Sequence, residues 1–147
     1  MDAGPPDAGL VALAEDLRQV VGGFVRKVRK AADTQPAAWS DTLGELDRRG
    51  PMTVAALART RQVRHQSMRV VVAQLEADGM VARAPDATDA RGQVVDVTER
   101  GRAALASSRA ARTSWIATGL QKHATMRERQ AVVTALAVLR RLTGASD

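Results

Sequence analysis

Cysteine is absent from the 147 residues. Without a thiol there is no disulfide, no thiolate redox sensor and no thiolate metal site. Tyrosine is absent as well, and Phe24, Trp39 and Trp115 are the aromatic residues, 2% of the chain. With 45% hydrophobic residues a core can still form, built from Val, Leu, Ala and Met. Ala-rich apolar stripes favour helices over sheets. No apolar run approaches the ~18 residues that a membrane span needs. The opening MDAGPPDAG is acidic and lacks the basic-then-hydrophobic order of a secretory signal. The expected location is therefore the cytoplasm, with no membrane partner. The two histidines, His65 and His123, stand far apart on different elements, so neither a metal site nor a cofactor is expected. There is also no Gly-rich phosphate loop, HExxH, GxSxG or Cys nucleophile, and an enzymatic role is not expected.

What the chain does have is positive charge. The formal net charge is +6, carried mostly by Arg. A basic excess suits a polyanionic partner, although an Arg- and Ala-rich proteome would produce a similar composition for any protein. Arg favours planar contacts to phosphate or guanine. The charge is uneven. Residues 1–58 are close to neutral, while residues 59–69 hold Arg59, Arg61, Arg64 and Arg69 without an acidic residue.

Periodicity divides the chain. Residues 1–9 read as a disordered Pro/Gly/Asp tail. Leu10, Leu13, Leu17, Val20, Val21, Phe24 and Val28 recur at threes and fours, which predicts a long helix within residues 10–36. Its end carries Arg26, Lys27, Arg29 and Lys30, which suit a helix C-terminus or simply a solvated one. A shorter helix holds Leu43 and Leu46 and stops at Gly50-Pro51. Thr53 can cap a helix from Val54 to about Thr60. Another helix starts near Arg64 or His65, runs to about Asp78 and ends at Gly79. Met80–Ala84 and Gln93–Val97 read as strands around a polar loop, Pro85–Gly92. Thr98 can cap a helix holding Ala103, Leu105, Trp115, Ile116 and Leu120. Thr125 followed by Glu128 is a capping box, and it precedes a last helix with Val132, Leu136, Leu139 and Leu142.

The order within residues 37–100 is helix-turn-helix followed by a β-hairpin wing. Such a unit usually lays one helix in the major groove of DNA. The long amphipathic helices before it and at residues 101–147 exceed what a small winged domain needs. Their apolar stripes demand burial, which a second copy of the chain would supply. The expectation is a mostly helical homodimer with a small β-hairpin wing and long terminal dimerisation helices.

Gly50 to Gly101 resembles the MarR (multiple antibiotic resistance regulator) family of winged-helix regulators. The likeness rests on Gly50-Pro-Met-Thr-Val-Ala-Ala-Leu-Ala58, on Gln66-Ser67-Met68, and on Leu75-Glu76-Ala-Asp-Gly79-Met80-Val81. It continues through Asp86-Ala-Thr-Asp89-Ala-Arg91 and Val97-Thr98-Glu99-Arg100-Gly101. With the flanking helices it extends over roughly residues 10–142. It implies a homodimer with interlocked terminal helices, a near-palindromic operator, and repression relieved by a small aromatic or lipophilic effector. Oxidative control through Cys, used by some members, has no residue here. The sequence departs from the family pattern at Thr88 and Ala90, where Arg is common. It also departs at Arg69-Val70, where Thr or Ser then Arg is common, and at His65, where Pro is frequent. These changes bear on the operator sequence and the affinity.

The expected DNA-binding residues are Arg64, His65, Gln66, Ser67, Arg69, Val70 and Arg91. Gln66, Arg69 and Val70 fall away from the Met68/Val72/Leu75 stripe. Arg69 suits guanine, Gln66 adenine and Val70 a thymine methyl, with a phosphate contact or plain solvation as the alternative for Arg69. Ser67 or a neighbouring backbone N–H could hold a phosphate. Arg64 and His65 should approach the backbone or groove edge. Arg91 could enter the minor groove. Asp86 and Asp89 would order the wing through backbone hydrogen bonds or by holding Arg91 or Arg83. Phe24, Trp39, Met52 and Trp115 are large enough to line an effector pocket, or else belong to the core. The alternative to a sequence-specific regulator is a winged-helix dimer acting through protein partners or through non-specific architectural DNA binding.

Overall fold

The structure is a computed structural model and describes residues 5–32, 36–87 and 92–144. Contacts divide the chain into two units, residues 1–112 and 113–147. The order of elements is α1 (Ala8–Ala32), α2 (Ala37–Arg49), α3 (Val54–Thr60), α4 (His65–Ala77), β1 (Val81–Pro85), β2 (Gln93–Val97), α5 (Glu99–His123) and α6 (Met126–Thr143). This is the expected mostly helical fold with a small hairpin.

In the first unit, α1 begins two residues before the apolar repeat does. The expected tail, residues 1–9, therefore loses Ala8 and Gly9 to the helix. The cause is Asp7, whose Oδ1 accepts the Leu10 N–H at 2.9 Å and so satisfies an otherwise orphan donor of the first turn. Farther along, Glu15 accepts hydrogen bonds from Arg18 at 2.7 Å and Gln19 at 2.8 Å. Val28 is the one buried side chain of α1 among its described residues. Leu10, Val11, Leu13, Leu17, Val20, Val21, Phe24 and Val25 are exposed.

The core lies where α2, α3, α4 and the hairpin meet. Leu43 and Leu46 of α2, Leu57 and Ala58 of α3, and Met68, Val72 and Leu75 of α4 are buried together with Met80, Val81, Val95, Val97 and Leu105. Burying each Leu or Val fully contributes about 1.5–3 kcal/mol before entropic losses. Thr53 caps α3 by accepting the Ala56 N–H at 3.1 Å, as its position in the sequence predicts. Gln62 lies between α3 and α4 in the left-handed region, with φ 52°. The Val63 N–H returns to the Ala58 carbonyl at 3.0 Å. Together they turn the chain sharply into α4. Gly79, with φ 69°, ends α4, and the Met80 N–H closes on the Leu75 carbonyl at 2.8 Å.

β1 and β2 are antiparallel, with Val81 opposite Val97 and Pro85 opposite Gln93. β1 starts one residue later than the sequence pattern suggests. Met80 is tied to Leu75 and to Thr98, whose N–H it accepts at 3.0 Å. Met52 adds a short third edge, exchanging hydrogen bonds with Val95 at 3.0 and 2.8 Å. Thr98 caps α5, since its hydroxyl accepts the Gly101 N–H at 3.1 Å and donates to the Gly79 carbonyl at 2.7 Å. Gly101 is needed at this crossing, because an added Cβ would lie 2.1 Å from the Met80 carbonyl oxygen. Along α5, Leu105 is buried, Ala103 is exposed, and its neighbour Ala104 packs against the core.

The second unit contains the end of α5 and all of α6. The Thr125–Glu128 capping box forms as its sequence predicts, with the Thr125 N–H donating to Glu128 at 2.7 Å. Arg129 closes the α5 terminus by donating to the carbonyls of Leu120, Gln121 and Ala124. No residue of α6 is buried. Met126, Val132, Val133, Leu136, Val138 and Leu142 are exposed.

Candidate nucleic-acid interface

The surface of α4 follows from its periodicity. Met68, Val72 and Leu75 point into the core and are 0–2% exposed. Gln66, Arg69, Val70 and Ala73 lie on the opposite side and are exposed. Val70 keeps 62% of its surface open, although it stands in the middle of a helix. Ahead of this face, Arg64, His65, Gln66 and Ser67 form the exposed start of α4. Arg64 is the N-cap and makes no side-chain capping hydrogen bond. The N–H groups of the first turn are therefore directed outward, at the positive end of the helix dipole. Six of the seven expected DNA-binding residues thus share one exposed end of α4. Arg91 lies outside the described residues, as do Thr88, Asp89 and Ala90.

The positive charge beside this face is reduced by one arginine. Arg59, Arg64 and Arg69 are exposed and take no part in an ion pair among the described residues. Arg61 is different. Its Nη2 bonds Asp41 Oδ2 of α2 at 3.0 Å, and Arg29 of α1 bonds Asp41 Oδ1 at 2.9 Å. One carboxylate thus joins the end of α1, the start of α2 and the turn into α4. Burial pushes the Asp41 carboxyl up, but the bonds and charges of Arg29 and Arg61 outweigh it and leave its pKa lowered. The separations of 12 and 20 residues carry no local signal, so the run of arginines in residues 59–69 reads in the sequence as if all of it were open. Arg29, taken alone, also reads as part of a solvated helix end.

At the base of the wing the Asp86 N–H donates to the Gly92 carbonyl at 3.0 Å. Arg83 bonds Glu76 of α4 at 3.0 Å, seven residues away, across the turn between helix and strand. Of the residues considered for an effector pocket, Trp39 and Met52 are half-buried and pack against the core cluster. Phe24 is exposed on α1, and Trp115 is half-buried in the second unit. Among the described residues no group of three His, Cys, Asp or Glu side chains could hold a metal ion. No described helix is long and apolar enough to cross a membrane.

Comparisons with known proteins fit this geometry. A sequence profile described as the MarR family matches residues 32–92. An HTH-type transcriptional regulator of Mycobacterium tuberculosis is 37% identical over 107 residues, covering 71% of this chain and 75% of that protein. The crystal structure of a candidate transcriptional regulator from Pseudomonas aeruginosa is similar with a TM-score of 0.82 and 27% identity, covering 94% of this chain and 98% of that one. A Staphylococcus aureus MepR mutant bound to an oligodeoxyribonucleotide shares the fold with a TM-score of 0.65 and 16% identity, covering 91% and 98%.

Proposed function

This chain belongs to the MarR family of winged helix-turn-helix, DNA-binding transcriptional regulators, and from that premise we propose that it is a dimeric repressor of a near-palindromic operator, released by a small apolar or aromatic ligand. The observation that carries the reading is the exposed Gln66–Arg69–Val70 face behind an uncapped helix start. In a major groove, Arg69 would donate two hydrogen bonds to one guanine, Gln66 would pair with adenine, and Val70 would meet a thymine methyl. Arg64, His65, Ser67 and the first-turn N–H groups would hold phosphates and set the register. Arg91 would enter the minor groove from the wing, with Asp86 and Asp89 ordering the loop.

The exposed apolar residues of α1 and α6 support the dimer. A protein in water rarely leaves long rows of Leu and Val open, and a two-fold pairing would cover them. Two α4 helices would then meet DNA about one helical turn, ~34–36 Å, apart. Of the side chains proposed for effector contact, Phe24, Trp39 and Met52 lie in the first unit and Trp115 in the second. Binding near either tryptophan would change its fluorescence.

The test is retention and footprinting of the intergenic DNA beside the protein's own gene, at about 150 mM salt. A protected near-palindromic segment, bound by two chains and released by an apolar compound that also quenches tryptophan emission, fits the proposal. Equal, weak retention of unrelated DNA would contradict it and favour a protein-binding or architectural role.

A further inference from the structure

Asp41 of α2 holds one arginine from α1 and one from the turn between α3 and α4. Arg29 arrives from the last two turns of α1, which also presents the apolar row Leu10–Val25. Arg61 arrives from the residue directly before the left-handed Gln62 that aims α4. The three side chains are 23–33% exposed, so water screens them only in part. Arg29 meets both carboxylate oxygens, at 2.9 and 3.3 Å, and this two-point contact fixes direction as well as distance. A shift of α1 along or around its axis cannot leave Arg61 undisturbed unless one of these bonds breaks.

We infer that Asp41 is a positioning residue for DNA recognition, clamping the turn ahead of α4 to α1 so that pairing of α1 between two copies sets the spacing of their reading helices. The inference rests on the dimeric, DNA-reading function proposed above. In it, Arg61 is not a phosphate contact. It stays on Asp41 in the bound protein, and the clamp acts on which operator spacing is accepted rather than on the affinity for DNA in general.

The test uses the full chain and the duplex it enriches from a random-sequence pool, together with the same duplex carrying one or two extra central base pairs. Each inserted pair moves the half-sites by ~3.4 Å and rotates them by ~34–36°. The wild type should discriminate strongly against the insertions. Asp41→Asn should bind the original duplex roughly tenfold more weakly. It should also lose most of the discrimination against the insertions, while its affinity for scrambled DNA stays the same. Arg29→Gln, which leaves the Arg61–Asp41 pair intact and cuts only the α1 arm, should reproduce the loss of discrimination.

Three results would overturn the inference. Unchanged spacing discrimination in folded, dimeric Asp41→Asn and Arg29→Gln would show that the clamp serves stability alone. Tighter binding of Asp41→Asn to every duplex, with a steeper salt dependence, would show that Asp41 merely restrains a phosphate-binding Arg61. A wild type that enriches no sequence would remove the DNA-reading function and the clamp with it, and the unmutated protein alone reveals that failure.

Discussion

Arg64, at the N-cap, and Arg69, within α4, stand five residues apart, and the proposed function gives them different parts in DNA binding. Arg69 lies on the exposed side of α4 with Gln66 and Val70, where base edges would be met. Arg69→Ala should cost about 1–3 kcal/mol of operator affinity and relax the preference at a single base position. A binding titration against operators substituted at each position reads this directly. Arg64 sits at the N-cap, where the proposed function has it meet a phosphate. Arg64→Ala should weaken operator and unrelated DNA alike and lower the salt slope by about one. Arg69 could be placed from the sequence because the Met68/Val72/Leu75 stripe fixes the opposite face of the helix. Arg61 could not, since the carboxylate that engages it belongs to α2 and no local pattern links the two. Met52 read from its size as either a pocket or a core residue. Its backbone pairs with Val95 and its side chain packs against the core, in line with the second of those readings.

At the level of elements, capping and close approach decide the local structure. Thr53, Thr98 and Thr125 all cap as their sequence positions indicate, because a cap is an interaction over three residues and leaves a local mark. The start of α1 was less legible, for Asp7 caps it from inside a Pro/Gly-rich stretch that reads as tail. The meeting of α5 with the β1 start leaves room only for glycine. Gly101→Ala should cost about 1–3 kcal/mol or more, seen as a lower urea midpoint, because the Met80 carbonyl is backbone and cannot swing aside. The ion pairs give α2 an acid-side signature. Asp41 is lowered from 3.8 despite its burial, by Arg29 and Arg61. Glu45 is lowered from 4.5 chiefly by its hydrogen bond from Arg48 at 2.6 Å, with Arg49 adding to it. A carboxyl whose folded pKa is depressed stabilises the fold above its ordinary pKa, and that stability is lost as pH falls through the folded value. Thermal midpoints should therefore fall below about pH 4.5. Asp41→Asn should start lower at neutral pH and fall less.

For the whole molecule, the open apolar rows are the feature that a single chain does not explain. α1 leaves Leu13 and Val20 each 64% exposed, and α6 leaves Leu142 73% exposed. Leu13→Glu with Val20→Glu should shift sedimentation toward a single chain and abolish tight operator binding, while the winged unit, whose core contains neither residue, keeps its helical signal. The architecture was legible because α1 and α6 carry a 3.6-residue apolar repeat and because Thr53, Thr98 and Thr125 mark three helix starts with caps. What the repeat could not say is which apolar residues face their own chain, since an amphipathic stripe looks the same against either partner.

The most direct measurement of the central claim follows the affinity ratio between an enriched duplex and its scrambled counterpart as salt is raised. If the Gln66–Arg69–Val70 face reads bases, two chains should bind the enriched duplex. The ratio should be about a thousandfold or more and should persist while both absolute affinities fall. A ratio near one at every salt concentration, with both affinities vanishing together, would contradict the assignment of α4 as a sequence reader.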